Sequence, residues 1–460
     1  MTILSFLAYA PAIILGTLIV HWLLPDKFTP SVLLKLSLGT GLGLGLSSII
    51  YFISLQVAPG RVNMPVLLVI LIVALVVIIY FQKGLEGLTP TRIPTMTWMQ
   101  WGLIATFIAC VALSAFVFAN YVTSRPQGAL DAWSVWNRAA RFIHRDPENW
   151  IATLSPDLPL LRHADYPLLV PLNVAWGWDV VGSETLRTPM VQAGLFTFAA
   201  IFLLFSAIAL TKSIGQASLA SIVLIATSGI VPSGTSLIAD VPLSYFILAS
   251  AILMYLFTCE NDFRLLILSG FMAGLCGWTK NEGLILIAAS FFSLLIATST
   301  NFKKALVYYL SGLLAPLAVI GYFKLLAPVN DLVANTEGGL IGNILDPSRY
   351  EMIFNSFLSG ILKPGALFLF LYLLVLGFGA TQTNRRGSAV LGALLVLQIL
   401  GYGFVYLITP YDLSWHLMTS QARLIFQIRP LAIFFCFSVS MEPEKVFSSI
   451  IRRQTALRQE

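Results

Sequence analysis

The chain predicts an all-α polytopic membrane protein, and three observations carry that expectation. Its 460 residues are 58% hydrophobic and 10% charged, with a mean hydropathy of +0.86, whereas soluble domains carry about 25% charged residues. The apolar residues fall in long runs, and a helix needs about 20 of them to cross a bilayer. The few acids gather at the ends of those runs. Ionisable groups where a span meets water are costly to desolvate and read as functional by default.

A window of that length finds about thirteen spans, near 1–24, 31–57, 64–82, 100–122, 187–211, 216–233, 238–258, 264–279, 281–298, 305–327, 358–380, 389–409 and 424–440. The first has no basic leading region and no small-residue cleavage site, so it is expected to be a retained span and not a signal peptide. In the second, Gly39, Gly41, Gly43 and Gly45 follow no strand. They predict close helix packing, not a phosphate cradle. Cys110, Cys259, Cys276 and Cys436 lack metal-ligand spacing and are expected to act as small apolar residues. We find no internal repeat and no low-complexity segment.

Basic residues in short connections set the orientation. Lys27, Lys35, Lys83, Arg92, Lys303, Lys304, Arg385, Arg386, Arg452 and Arg453 all fall on one side, which is expected to be cytoplasmic. That side carries 14 Lys/Arg and 7 Asp/Glu, and the other carries 13 and 14. The N-terminus is then outside and the C-terminus inside. The net charge of +6 suits anionic headgroups at span ends and implies no nucleic acid.

Two outer segments are long. In 123–186, Trp133, Trp136, Ala140 and Ile143 recur at helical spacing with Arg138, Arg141 and Arg145 on other faces. This predicts an interfacial amphipathic helix with tryptophans at headgroup depth. The second, 328–357, holds Gly338, Gly339, Gly342 and Pro347 and is expected to be mobile. Four polar clusters lie on the same outer side. They are Asp131; Arg162, His163, Asp165 and Tyr166 in RHADYPLLVPL; Asp240 in ADVPLSYF; and Lys280, Asn281 and Glu282 in WTKNEG together with Tyr411, Asp412, Trp415, His416 and Arg423 in YDLSWHLMTSQAR. Each has a plainer reading. Asp131 and Asp240 suit helix starts, Lys280 suits a snorkelling lysine, Glu282 suits its ion-pair partner, and His163 and His416 suit loop histidines. The HRD string at His144–Asp146 lacks every companion a kinase loop needs.

The order and sidedness of these strings resemble the GT-C superfamily of polytopic glycosyltransferases, which includes the protein O-mannosyltransferases and the lipid A aminoarabinose transferase. The resemblance covers residues 100–440. It leaves 1–99 as extra N-terminal spans and 441–460 as a basic cytoplasmic tail, with no large soluble C-terminal domain. It implies a GT-C-like bundle in the bacterial inner membrane, with its site on the periplasmic side. The donor would be a polyprenyl-phosphate monosaccharide, its sugar passing to an acceptor hydroxyl with inversion. Asp131 is then the candidate base and Asp240 the second catalytic acid, orienting the acceptor or holding Lys280. Lys280, Arg162 and Arg423 are candidate ligands of the donor phosphate. His163, Asp165, Tyr166, Glu282, Tyr411, Asp412 and His416 are candidate substrate contacts.

No D-x-D string occurs, which favours a lipid over a nucleotide-sugar donor. No cofactor is implied. A divalent metal shared by Asp131 and Asp240 is the alternative, since hard cations take carboxylate oxygens, although the groups resembled most work without one. Two other functions use similar parts. A transporter or flippase of lipid-linked sugars would place its ionisable groups near the midplane. An O-antigen ligase or polymerase would rest on arginine and histidine.

Overall fold

The computed structural model describes residues 2–28, 31–83, 96–155, 163–227, 229–298, 301–330, 340–362 and 384–449. The described chain is helical: α1 (Thr2–Leu23), α2 (Val32–Val57), α3 (Met64–Lys83), α4 (Trp98–Ser124), α5 (Asn137–Arg145), α6 (Leu169–Val181), α7 (Arg187–Thr211), α8 (Ile214–Thr227), α9 (Ile230–Thr235), α10 (Asp240–Glu260), α11 (Arg264–Thr279), α12 (Gly283–Ala297), α13 (Phe302–Leu326), α14 (Leu340–Leu345), α15 (Pro347–Leu362), α16 (Arg385–Ile408) and α17 (Leu413–Val439). Among the described residues, nine of these are long and apolar enough to cross a membrane: α1, α2, α3, α4, α7, α10, α13, α16 and α17. The apolar helices α8, α11 and α12 are shorter. The span expected at 358–380 lies largely outside the described residues.

Burial sorts the helices into a centre and a rim. The apolar window of α10 is 94% buried and that of α4 only 17%. Helix α10 packs against α2, α7, α11, α12, α16 and α17. Helices α3 and α4 turn Val69, Ile70, Val73, Trp101, Ile108 and Phe116 outward, as spanning helices at the rim of a bundle do.

Small residues set how closely the central helices approach. A Cβ on Gly43 would collide with the Ala12 carbonyl, one on Gly16 with Gly39, and one on Gly41 with the Tyr245 ring. Tyr245 then donates from its hydroxyl to the Ser37 carbonyl at 2.7 Å. The glycine run of α2 is therefore a packing surface toward both α1 and α10. Helices α1 and α2 share one core with the rest of the chain.

The structure departs from the sequence expectations in four places. Residues 123–186 are not all surface loop, because Leu169–Trp178 is an unbroken buried run in α6. At 13 residues α6 is too short for a span window. It docks through Asn173, whose Nδ2 donates to the Leu44 and Leu169 carbonyls at 3.0 Å and whose Oδ1 accepts from Ser47 and Trp176. The span expected at 216–233 breaks at Gly229, whose φ of 75° is left-handed, and α9 follows. The last span starts earlier, at Leu413, because Asp412 caps it by accepting from the Trp415 amide at 2.8 Å. Within 328–357, Pro347 opens helix α15 and Gly342 lies in α14; Gly338 and Gly339 lie outside the described residues.

Replacing Gly43 with valine is expected to lower stability by about 1–3 kcal/mol through overpacking. Gly102→Val, where a Cβ meets nothing within 4 Å, is expected to cost less than about 1 kcal/mol. Thermal melts of the two purified variants in one detergent check the ordering.

Candidate functional site

Two acids far apart in sequence are brought together by one arginine. The path starts at Gly128, whose φ of 71° is left-handed and whose missing Cβ leaves room for the Ser236 carbonyl. The next residue, Ala129, donates its amide to that carbonyl at 2.9 Å. This pins the segment carrying Asp131 beside the start of α10. Residues Ala132–Trp136 then wind as a π-helical turn, a geometry that recurs at functional sites.

Asp240 is 1% exposed at the first position of α10. Its Oδ1 accepts from Lys280 Nζ at 3.0 Å and from Gln427 Nε2 at 2.6 Å. Its Oδ2 accepts from Arg423 Nε at 2.9 Å and lies 2.8 Å from Nη2. The remaining arm of Arg423, Nη1, donates to Asp131 Oδ2 at 2.7 Å. Lys280 also pairs with Glu282 Oε1 at 2.8 Å. Arg423 lies on α17 in a polar stripe of His416, Ser420, Arg423 and Gln427, spaced at three and four residues on one helix face. Lys280 follows α11 directly, in a turn closed by the Gly283 amide on the Lys280 carbonyl.

This settles the plainer readings of these residues. Asp131 makes no capping bond, and its backbone is already helical. Asp240 does stand at a helix start, as the first residue of α10 after the N-cap Ala239. Lys280 does not snorkel, since its side chain is only 3% exposed and is held by two carboxylates. Asp240 holds Lys280 and is too enclosed to meet an acceptor in this arrangement. The cluster has two characters. Asp240, Lys280 and Gln427 are buried, while Asp131 and Arg423 keep 39% and 37% of their side chains exposed. With all five ionised, Asp131, Asp240 and Glu282 outweigh Lys280 and Arg423 by one negative charge. Lys280 is thus no free phosphate ligand, and of the two cations in the cluster Arg423 is the one that reaches the surface.

The other predicted residues surround this cluster or stand apart from it. Tyr166 stacks on Trp136 and on His163, its ring centroids at 5.5 and 4.6 Å, and the Lys280 ammonium lies 5.7 Å from its centroid. His163 takes a left-handed φ of 64° to make this turn. Asp165 faces away. Its Oδ2 accepts from Asn281 at 2.7 Å and from Asn330 at 2.6 Å, and Lys324 donates to its carbonyl and to Asn281 at 2.7 Å each. It is 3% exposed and anchors this turn to the end of α13. Asp412 is the cap of α17. His416 bonds the Thr409 hydroxyl at 2.9 Å and packs against Tyr406 and Tyr411. Arg162 lies outside the described residues.

Sequence reasoning missed Gln427 and Tyr402, whose hydroxyl donates to Gln427 Oε1 at 2.7 Å. The signal was present as a glutamine within an apolar run, four residues after Arg423. It also missed the anchor of the amphipathic helix. Asp179 pairs with His144 and accepts from the Tyr51 hydroxyl at 2.6 Å, while Glu184 takes a two-pronged bond from Arg145. The hydrogen bond to Asp179 holds the His144 imidazole above its ordinary pKa, against a smaller effect of burial.

Among the described residues no three His, Cys, Asp or Glu side chains gather as a metal site, and the Arg423 guanidinium bridges Asp131 and Asp240. Comparison with protein-family models, with curated proteins and with solved structures finds no match for the chain.

Asp240→Asn is expected to destabilise by about 3–5 kcal/mol, since it strips the buried Lys280, and with it the part-exposed Arg423, of their shared counter-charge. Asp131→Asn removes a half-exposed pair and is expected to cost about 0–1 kcal/mol. Unfolding by urea in mixed micelles checks the contrast. Because the His144 pKa is raised on folding, its contribution is complete below its ordinary value and fades as pH rises through the folded one. The melting advantage of the wild type over His144→Gln is expected to shrink as pH is raised from below the ordinary imidazole value to well above it.

Proposed function

We propose that the chain is an integral-membrane glycosyltransferase that moves a monosaccharide from a polyprenyl-phosphate lipid to an acceptor hydroxyl, with inversion, at the outer membrane face. One observation carries this reading: Arg423 holds the half-exposed Asp131 and the buried Asp240 through different arms. An acid and a cation exposed side by side, with the cation fixed from beneath, suit both halves of a sugar transfer.

In this reading the resting ion pair covers both reactive groups. A donor phosphate takes the Nη1 arm of Arg423, which leaves Asp131 free. The bond to Asp240 keeps Arg423 from following. Asp131 then accepts the proton of the acceptor hydroxyl, for which it must lie within about 3 Å of it. The acceptor oxygen bonds to the anomeric carbon. The bond from that carbon to the phosphate oxygen breaks, its electron pair leaves with the polyprenyl phosphate, and Arg423 balances the added negative charge. Tyr166, stacked beside Lys280, offers an aromatic face for the sugar. The resemblance of the sequence strings to the GT-C superfamily supports the same reading, and no divalent cation is needed for it.

A transporter or flippase of lipid-linked sugars is the second reading. The enclosed Asp240–Lys280–Arg423 network favours it, since buried ionisable groups in membrane bundles often mark ion or substrate pathways. The two diverge experimentally. Purified protein in liposomes, offered labelled polyprenyl-phosphate sugars, is expected to release polyprenyl phosphate from one of them. Asp131→Asn is expected to lower that release by at least about 10²-fold while the melting temperature holds. Saturable donor movement across the bilayer without bond cleavage would favour the transporter. Cleavage that persists in Asp131→Asn would remove Asp131 as the base.

A further inference from the structure

Behind the charged cluster, α16 packs against α17 and presents two tyrosines one turn apart to its polar stripe. The Tyr402 hydroxyl donates to Gln427 Oε1 at 2.7 Å. The Tyr406 hydroxyl lies 2.7 Å from the Ser420 hydroxyl. Tyr402, Tyr406 and Gln427 are fully buried. The two contacts look alike and end differently. Ser420 donates onward to the His416 carbonyl at 2.7 Å, a bond within α17 that no carboxylate shares. Gln427 donates onward to Asp240 Oδ1 at 2.6 Å.

A carboxamide has one accepting end and one donating end. Tyr402 fills the accepting end of Gln427, and Asp240 fills the donating end. The three groups form a chain polarised toward the carboxylate, and in such a chain each bond strengthens the next. Arg423 and Gln427 stand one turn apart on the same face of α17, so they hold Asp240 from two sides. Gln427 takes Oδ1, while Arg423 Nε and Nη2 take Oδ2. Lys280 shares Oδ1 with Gln427. With the amide unanchored, the carboxylate is free to turn toward Lys280 about its own Cβ–Cγ bond. Its second oxygen then no longer fixes the guanidinium whose Nη1 meets Asp131.

We propose that Tyr402 is a positioning residue. It anchors Gln427, which keeps Asp240 turned so that Arg423 meets Asp131. Tyr402 itself touches no reacting group. The alignment of Arg423 is a property of the cluster, whereas the effect on rate rests on the proposed transfer.

The test compares Tyr402→Phe with Tyr406→Phe in the purified full chain. Each variant removes one buried hydroxyl from the same helix. The first readout is the rate at which phenylglyoxal modifies Arg423 in detergent micelles, followed by peptide mass. Arg423 keeps 37% of its side chain exposed, so the reagent reaches it. The expected rate rises about fivefold in Tyr402→Phe, the weight of one hydrogen bond, and matches the wild type in Tyr406→Phe. The second readout is release of polyprenyl phosphate in liposomes. In Tyr402→Phe, kcat is expected to fall about tenfold. KM is expected to stay within about twofold, because the charge that Arg423 balances grows only in the transition state. Melting temperatures show that each variant is folded. Should Tyr402→Phe melt early, Gln427→Met takes its place, since it keeps the side-chain length and removes both bonds of the chain. It is expected to quicken the modification at least as much. Equal modification of Arg423 in Tyr402→Phe and Tyr406→Phe would overturn the positioning role. Faster modification with an unchanged kcat would overturn its part in the reaction. If the wild type cleaves no donor, the transfer reading fails, and the modification rates alone still decide whether Tyr402 aligns Arg423.

Discussion

The buried carboxylate of Asp240 is the constraint that most of the central structure answers to. An ion withdrawn from water persists only when it is paired and its lone pairs are filled. Asp240 satisfies that demand with four donor contacts from three side chains. Those side chains come from the turn between α11 and α12 and from α17, so three parts of the bundle meet at one carboxyl. The geometry also fixes Arg423 in a single orientation. With Nε and Nη2 committed inward, only Nη1 is left to point at Asp131. The position of the segment that carries Asp131 thus depends in part on an acid that never touches it.

This division explains why two aspartates of similar sequence setting have different uses. Asp131 is half-exposed and holds one hydrogen bond from one cation, so releasing it costs little. Asp240 is enclosed and shares two cations, so releasing it would strand buried charge. In the proposed transfer the chemistry belongs to the first and the alignment to the second. Orientation of a reactive pair by a fixed neighbour contributes because the groups need not reorganise at the moment of reaction. Lys280 belongs with the alignment, since Asp240 and Glu282 already hold it.

Much of the helical layout was legible because a hydrocarbon span leaves a long, local signal. The amphipathic helix was legible for the same reason, but its apolar residues Trp136, Ala140 and Ile143 are buried within the protein, where α5 packs against α6, while Trp133 stays 48% exposed at the start of the π-helical turn. What escaped was short or non-local. Helix α6 is buried over ten residues but falls below the span length, so its apolar run read as part of a loop. The acids at 131 and 240 were each visible, as was Arg423, but nothing local says that one guanidinium joins them. That depends on Gly128 bringing the segment to Ser236. Asp165 and Asp412 show the opposite error. Each lies in a string rich in polar residues, yet one anchors a turn and the other caps a helix.

Helix α2 connects two regions of the bundle. Its first turns, at Leu33, Leu36, Ser37 and Thr40, line an apolar groove between α1, α2, α4 and α7. Farther along, the Ser48 hydroxyl accepts from the Trp278 indole at 3.1 Å, and Phe52 packs edge-on to both Trp150 and Trp278. Trp278 lies two residues before Lys280. The same helix therefore forms a wall of the groove and backs the turn that carries the buried lysine. Its glycines bring α1 against it almost backbone to backbone, and Gly41 makes room for the Tyr245 ring of α10. A contact of that kind has no slack, because a packed interface resists continuous sliding. Moving α2 away from α1 would therefore disturb the support beneath Lys280 as well.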